Sequence, residues 1–113
     1  MSTMRNSVML IGRPGAEPEM KSISNNQKVA RFRIAVNETY MKSNNERVEN
    51  TSWFNIVAWN ATADRVMKTV KKGRLIALEG SLRNNDWKDK EGKLHSSSEI
   101  WVNDLFPIDV EKQ

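Results

Sequence analysis

The run Thr51-Ser-Trp-Phe-Asn-Ile-Val-Ala-Trp59 decides how the rest of the chain is read. Side chains of a β-strand alternate between faces, so Trp53, Asn55, Val57 and Trp59 share one face, and Phe54, Ile56 and Ala58 share the other. The second set already suffices as a core surface. A strand apolar on both faces needs a second cover: a helix, another subunit or a flat ligand. Two further aromatics stand in polar surroundings. Tyr40 heads the stretch from Met41 to Asn50, and Trp87 lies within Asn84-Asn-Asp-Trp-Lys-Asp-Lys90.

Upstream of this run, Lys28 to Asn37 alternates, with Ala30, Phe32, Ile34 and Val36 on one face and Arg31, Arg33 and Ala35 on the other. That pattern predicts a half-buried strand with a basic outer face. Ser7 to Ile11 reads as a short strand closed by the turn residues Gly12-Arg-Pro-Gly15, and residues 16 to 27 read as a polar connection. Residues 41–50 lack a buried stripe and read as a mobile hairpin loop. Downstream the period changes. Ala63, Val66, Met67 and Val70 fall at helical spacing, predicting one short helix over Ala61–Lys72. Asn60 or Thr62 is placed to cap its start, and Gly73 to end it. Lys68, Lys71 and Lys72 crowd the last turns, where cations complement the helix dipole. Arg74 to Leu82 predicts a strand, running on through Arg83 to a hairpin tip at Asp89-Lys-Glu-Gly92. A return strand from Leu94 to Val102 follows, and Pro107 should limit further pairing.

Strand, strand, strand, helix, strand, strand is the order of the OB-fold, an all-β, five-stranded Greek-key barrel with one short helix between strands 3 and 4. The 113 residues predict a single domain, with a structured core over about residues 4–110. The OB-fold binds oligonucleotides across strands 2 and 3 and the adjoining loops. Those strands carry Arg31, Arg33, Trp53 and Trp59, and the loops carry Tyr40 and Trp87.

Composition narrows the chemistry. The chain has no cysteine and one histidine, His95, which excludes disulfides, thiolate catalysis and cysteine-based zinc sites. No hydrophobic leader opens the sequence and no run reaches membrane-spanning length, so a cytoplasmic, nucleoid-associated location with no membrane contact is expected. Net charge is +4. Residues 1–60 hold eight Lys/Arg against five Asp/Glu, residues 61–95 nine against five, and residues 96–113 one against four. The basic excess therefore accompanies the aromatics, which fits a polyanionic partner. His95 has no nucleophile at a recognisable spacing, the acidic residues are scattered, and no phosphate-binding glycine motif is present. Gly12-Arg-Pro-Gly15 has the GxxG spacing of an RNA-backbone clamp but lacks the flanking helix pattern. A non-enzymatic protein without cofactor or metal is expected. Flat rings that stack on bases, together with cations that meet phosphates, suit single-stranded nucleic acid.

Several segments resemble bacterial single-stranded DNA-binding proteins: Val8-Met-Leu-Ile-Gly-Arg-Pro-Gly-Ala-Glu-Pro-Glu19, Thr51 to Trp59, Lys72-Gly73, Leu78-Glu-Gly-Ser-Leu-Arg83 and Trp87. The resemblance runs from about Met4 to Val110. It implies an OB-fold that assembles as a homotetramer and wraps single-stranded DNA in replication, recombination and repair. Carried over by position, the stacking residues are Tyr40, Trp53, Trp59 and Trp87. The basic positions that match are Lys72 and Arg83, with Lys71 adjacent; Lys88 beside Trp87 is a further candidate. Asn55 and Asp86 stand where relatives can carry cations, and Arg31 and Arg33 are placed to compensate. Phe54 sits at a position associated with subunit contact, although its parity sets it opposite the tryptophans. Relatives usually continue into a flexible linker and an acidic tip that recruits repair and replication enzymes. This sequence ends Asp109-Val-Glu-Lys-Gln113: either the protein is naturally without that tail, which puts recruitment through such a tip in doubt and makes an accessory or mobile-element role plausible, or the sequence is the folded domain cut from a longer chain. The alternative on the same scaffold is a primosome or replication-restart adaptor, which acts through protein contacts as a dimer and needs fewer stacking rings.

Overall fold

Alternation of apolar and polar residues does build the long strands, and they run further than their apolar cores. In the computed structural model, which describes residues 5–108, the order is β1 (Val8–Pro14), β2 (Glu19–Ser24), β3 (Gln27–Met41), β4 (Arg47–Trp59), α1 (Asn60–Thr69), β5 (Ile76–Lys88) and β6 (Leu94–Pro107). The sheet order is β1-β5-β6-β4-β3-β2, and a β1–β3 pairing at Arg13↔Ala35 and Pro14↔Ile34 closes it into a barrel. Only the β4–β6 contact is parallel, at Ile56↔Ile100 and Val57↔Trp101.

The helix lies between β4 and β5 rather than between strands 3 and 4. The difference arises at residues 19–24, a strand where a polar connection was expected. Glu19–Ser24 pairs antiparallel with β3, as the end of β1 does one step further along the same strand. β1 and β2 are therefore one barrel strand interrupted at Gly15-Ala-Glu-Pro18, and counting them together restores the five strands of the OB-fold. The polar composition of β2 hid it, because an exposed edge strand needs no apolar face.

Residues 41–50 are likewise half strand. β3 and β4 stay paired out to Met41↔Arg47, leaving only Lys42–Glu46 as the turn. β5 and β6 form a similar arm out to Lys88↔Leu94. Its tip is the expected one: Gly92 has φ +82°, and its N–H donates to the Asp89 carbonyl at 3.0 Å. β6 ends at Pro107, which is still paired with Ile76, and the Ile108 N–H just beyond it donates to the Leu75 carbonyl at 2.9 Å, so the proline does not cut the pairing short.

Inside the barrel, Ala30, Phe32 and Ile34 of β3 meet Ile56 and Ala58 of β4, Ile76 and Leu78 of β5, and Ile100, Val102 and Leu105 of β6. α1 adds Ala63 and Val66, with Val70 just beyond its end. No polar or charged residue is buried among the described residues. The helix stops at Thr69, three residues short of the expected end, and Val70 is already extended. Gly73, with φ +80°, serves the following turn, and of the three lysines only Lys68 lies in the last helical turn. Neither expected cap forms. Asn60 instead adopts φ +54°, and its Oδ1 accepts the Lys28 N–H at 3.0 Å, fastening the start of β3 to the start of the helix.

Two glycines let strands approach where the sheet curves. A Cβ on Gly12 would meet the Ala35 carbonyl, and one on Gly80 would meet the Trp101 carbonyl beside the β5–β6 bulge. Both neighbours are backbone and cannot swing aside. Gly80→Ala is expected to cost about 1–3 kcal/mol, the usual scale of overpacking, measurable as a lowered midpoint in urea unfolding.

Candidate nucleic-acid interface

Residues paired directly across a ladder point to the same side of the sheet, and the registers gather Arg31, Arg33, Arg83, Trp53, Trp59 and Trp87 on one outer surface. Arg31, Arg33 and Ala35 of β3 stand opposite Val57, Asn55 and Trp53 of β4. The parallel step to β6 sets Val57 beside Trp101. The β5–β6 ladder then adds Ser81 opposite Trp101, Arg83 opposite Glu99, Asn85 opposite Ser97 and Trp87 opposite His95. A cleft of about 590 Å³ runs across this surface, lined among others by Gly15, Glu17, Arg31, Arg33, Trp53 and Glu99.

Each indole is held by neighbouring groups. Trp53 is 48% exposed. The Arg33 guanidinium lies 5.0 Å from its ring centre, and Gly15 is so close that a Cβ there would come within 2.7 Å of the ring. Trp87, also 48% exposed, stacks on His95 with ring centres 4.3 Å apart and planes 17° off parallel. His95 Nε2 in turn lies 2.9 Å from Asp89 Oδ2. Trp87 thus belongs to a strand of the β5–β6 arm rather than to a loop, and the lone histidine is its backing ring. Trp59 is more enclosed, tilted 58° against Trp101 at 5.4 Å. Its Nε1 is buried without an acceptor.

Tyr40 also sits on a strand, near the end of the β3–β4 arm, paired with Val48 and 54% exposed. Alternation puts it on the opposite side of that ribbon from Arg31 and Arg33. Among the described residues no ring contact joins it to the other aromatics.

The cations divide into two sets. Arg31 pairs with Glu99 Oε2 at 3.3 Å, while Arg33 and Arg83 lie over indoles. Lys71, Lys72 and Lys88 are exposed. No ion pair involves them among the described residues. The Lys72 N–H donates to Glu17 Oε2 at 2.9 Å, which ties the turn bearing Lys71 and Lys72 to the lip of the cleft. Glu17, Glu19 and Glu99 offset Arg31 and Arg33 within the cleft itself. The positive excess therefore lies at its margins.

Sequence reasoning missed Trp101. Its Nε1 donates to Glu99 Oε1 at 3.0 Å, and the Arg83 guanidinium sits 4.4 Å from its ring centre. The signal was present: Ile100 and Val102 face the core, so Trp101 between them must face outward. Among the described residues no cluster of three His, Asp or Glu could hold a metal, and no helix is long and apolar enough to cross a membrane.

A closed barrel of this topology, bearing indoles and guanidinium groups across four neighbouring strands, defines a domain of the OB class. More narrowly, the chain belongs to the single-strand binding protein family, whose sequence pattern matches residues 5–108. It is 35% identical over 100 residues to the single-stranded DNA-binding protein of Neisseria meningitidis serogroup B, covering 88% of this chain and 58% of that one. It is 38% identical over 101 residues to single-stranded DNA-binding protein 1 of Chlorobaculum tepidum, covering 88% and 62%. Its fold matches the Plasmodium falciparum SSB in complex with ssDNA at a TM-score of 0.86 and 33% identity, covering 96% of this chain and 99% of that one. A deletion mutant of the Thermus aquaticus single-stranded DNA binding protein shares the fold at a TM-score of 0.81 and 21% identity, covering 92% and 50%. The chain thus spans 58% of the length of the Neisseria relative. Residues Asp109 to Gln113, where an acidic tip was considered, lie outside the described residues.

Asp89 gives the arm a dependence on pH. Its hydrogen bond with His95, and then the N–H groups of Lys93 and Glu91, hold its carboxyl below the ordinary carboxylate range. Because the folded value is depressed, the contribution is complete above the unfolded carboxylate range and is lost as pH falls through the folded value. The amide signals of Glu91, Gly92 and Lys93 are therefore expected to move together in an acid NMR titration. Asp89→Ala should abolish that shared transition.

Proposed function

We propose that the chain binds single-stranded DNA without requiring a particular sequence, by stacking bases on Trp53, Trp87, Trp59 and Tyr40. Arg31, Arg33, Lys71, Lys72, Arg83 and Lys88 meet phosphates along the same path. The observation that carries this proposal is the pair formed by Trp53 and Trp87. Each has a neighbour against its ring, Gly15 and Arg33 for Trp53 and His95 for Trp87, and each leaves about half its surface to solvent on the same face of the sheet. A ring fixed on one side and free on the other can accept a base at little cost in ordering. The complex of Plasmodium falciparum SSB with ssDNA, which shares this fold, supports the same assignment. Replication, recombination and repair are the processes in which such binding acts, and no catalytic step is assigned to the chain.

We further infer a homotetramer. Ile11, Ala77 and Phe106 stand side by side across β1, β5 and β6, with Met9 one step away. Met9, Ile11 and Phe106 are all exposed. An apolar row of this kind on an outer sheet face suits a subunit contact, and it lies at the end of β5 remote from Trp87. Phe54, by contrast, packs partly buried against the core.

Oligo(dT) is expected to quench tryptophan fluorescence, with affinity falling steeply as salt rises; no quenching at low salt would sink the proposal. Trp53→Ala should weaken binding by about 1–3 kcal/mol, one stacked base. Gly15→Ala should act in the same direction by displacing that ring. Lys72→Gln should lower the salt slope by about 0.7, one phosphate on a single strand. Light scattering of Ile11→Asp with Phe106→Asp should show a mass below that of the unmodified protein. A dimeric mass for the unmodified protein together with weak oligo(dT) binding would favour the restart-adaptor role instead.

A further inference from the structure

A second pocket, of about 370 Å³, opens beside the main cleft and is lined by Gln27, Trp59, Asn60 and Trp101. It shares no lining residue with the cleft. Val57, which lines the cleft, nevertheless pairs with Trp101 and lies two residues from Trp59, so the two sites are consecutive along one face. We propose that this pocket is a nucleobase subsite that prefers a purine, giving an otherwise sequence-tolerant surface one position of base preference. The proposal rests on the single-stranded DNA binding argued above.

The walls are flat and fixed. Trp101 is held at its Nε1 by Glu99, on one face by Arg83 and at its side by Trp59. That is more restraint than Trp53 or Trp87 receives. Next to the wall, Trp59 Nε1 is a buried donor without an acceptor.

The remaining two residues carry amides. Asn60 Oδ1 is already occupied by the Lys28 N–H, which fixes the amide and leaves Nδ2 as a donor. Asn60 also adopts φ +54°, a conformation glycine would satisfy on backbone grounds alone, so its side chain is an addition to what the turn needs. Gln27, the first residue of β3, is exposed, and no hydrogen bond engages its amide among the described residues. A fixed donor beside a free amide matches the purine edge, where the N7 acceptor adjoins the exocyclic N6 or O6 group. A pyrimidine has no N7, and its single ring covers less of an indole face.

The test is a competition series with oligo(dT) in which a single adenine is moved along the strand. One position is expected to raise affinity over all-thymine by roughly fivefold or more, the scale of one specific base contact. Gln27→Ala combined with Asn60→Gly, which keeps the backbone conformation, should abolish that gain and leave all-thymine binding within about twofold. Trp101→Leu should abolish it as well; if that variant does not fold, the double variant decides. No adenine position with a gain, or a gain that survives the double variant, overturns the subsite. Loss of all-thymine binding by the unmodified protein would overturn the underlying function instead, so the two failures are distinguishable.

Discussion

The rest of the structure depends on the register between β3 and β4. Their ladder is unbroken from Val29↔Trp59 to Met41↔Arg47. Because strand side chains alternate with period two, that register decides at once what is inside and what is outside. Phe32, Ile34, Ile56 and Ala58 face the core, while Arg31, Arg33 and Trp53 face solvent. A slip of one residue by either strand would exchange these sets. The buried aliphatic side chains make such a slip prohibitive, since each is worth about 1.5–3 kcal/mol on burial. The site inherits its precision from the core: the hydrophobic effect on one face positions the aromatics on the other.

The contacts that hold the aromatics in place are individually weak, and that weakness matters. An exposed guanidinium over an indole contributes about 0.5–1 kcal/mol, and a surface ion pair such as Arg31–Glu99 about 0.2–1 kcal/mol. Both are small beside the 1–3 kcal/mol of a stacked base. Under the proposed function, Arg31 and Arg33 could therefore leave Glu99 and Trp53 for a phosphate at modest cost. Until then they keep the indoles oriented. Among the described residues the lysines beyond the cleft have no comparable partner to leave, so under the proposed function they would supply the long-range attraction and the arginines the local adjustment. The acidic residues in the cleft fit this division, because Glu17 and Glu99 fasten backbone and indole rather than repel an otherwise bare site.

Much of this was legible in the sequence. Alternation from Ala30 to Val36 and from Trp53 to Trp59 gave the two central strands and their faces, and the helical spacing of Ala63, Val66 and Met67 gave the helix. Other features were hidden for identifiable reasons. β2 has no apolar stripe because it is an exposed edge, and the β3–β4 arm is polar on both sides because it projects beyond the core. Asn60 looked like a helix cap, since Asn at a helix start ordinarily caps; here its positive φ turns the side chain back to Lys28. The backing of Trp87 by His95 depends on a pairing across the β5–β6 arm. Trp101 was different, because the alternation around Ile100 and Val102 already placed it outside.

The strand from Thr51 to Trp59 is apolar on both faces, and the second face is covered by the chain at one end only. Val57 points outward yet is only 1% exposed, flanked by Arg31 on β3 and Trp101 on β6. Trp59 is half-covered by Trp101. This end of the strand is sheltered by the chain itself, so the barrel does not need a ligand to be stable. Only toward Trp53 does the face stay open, and there the backing consists of a glycine and an arginine side chain. A site made wholly of open apolar surface would invite aggregation; one wholly covered could not stack a base. Dividing the face between the Trp59–Trp101 pair and the open Trp53 satisfies both constraints with a single strand.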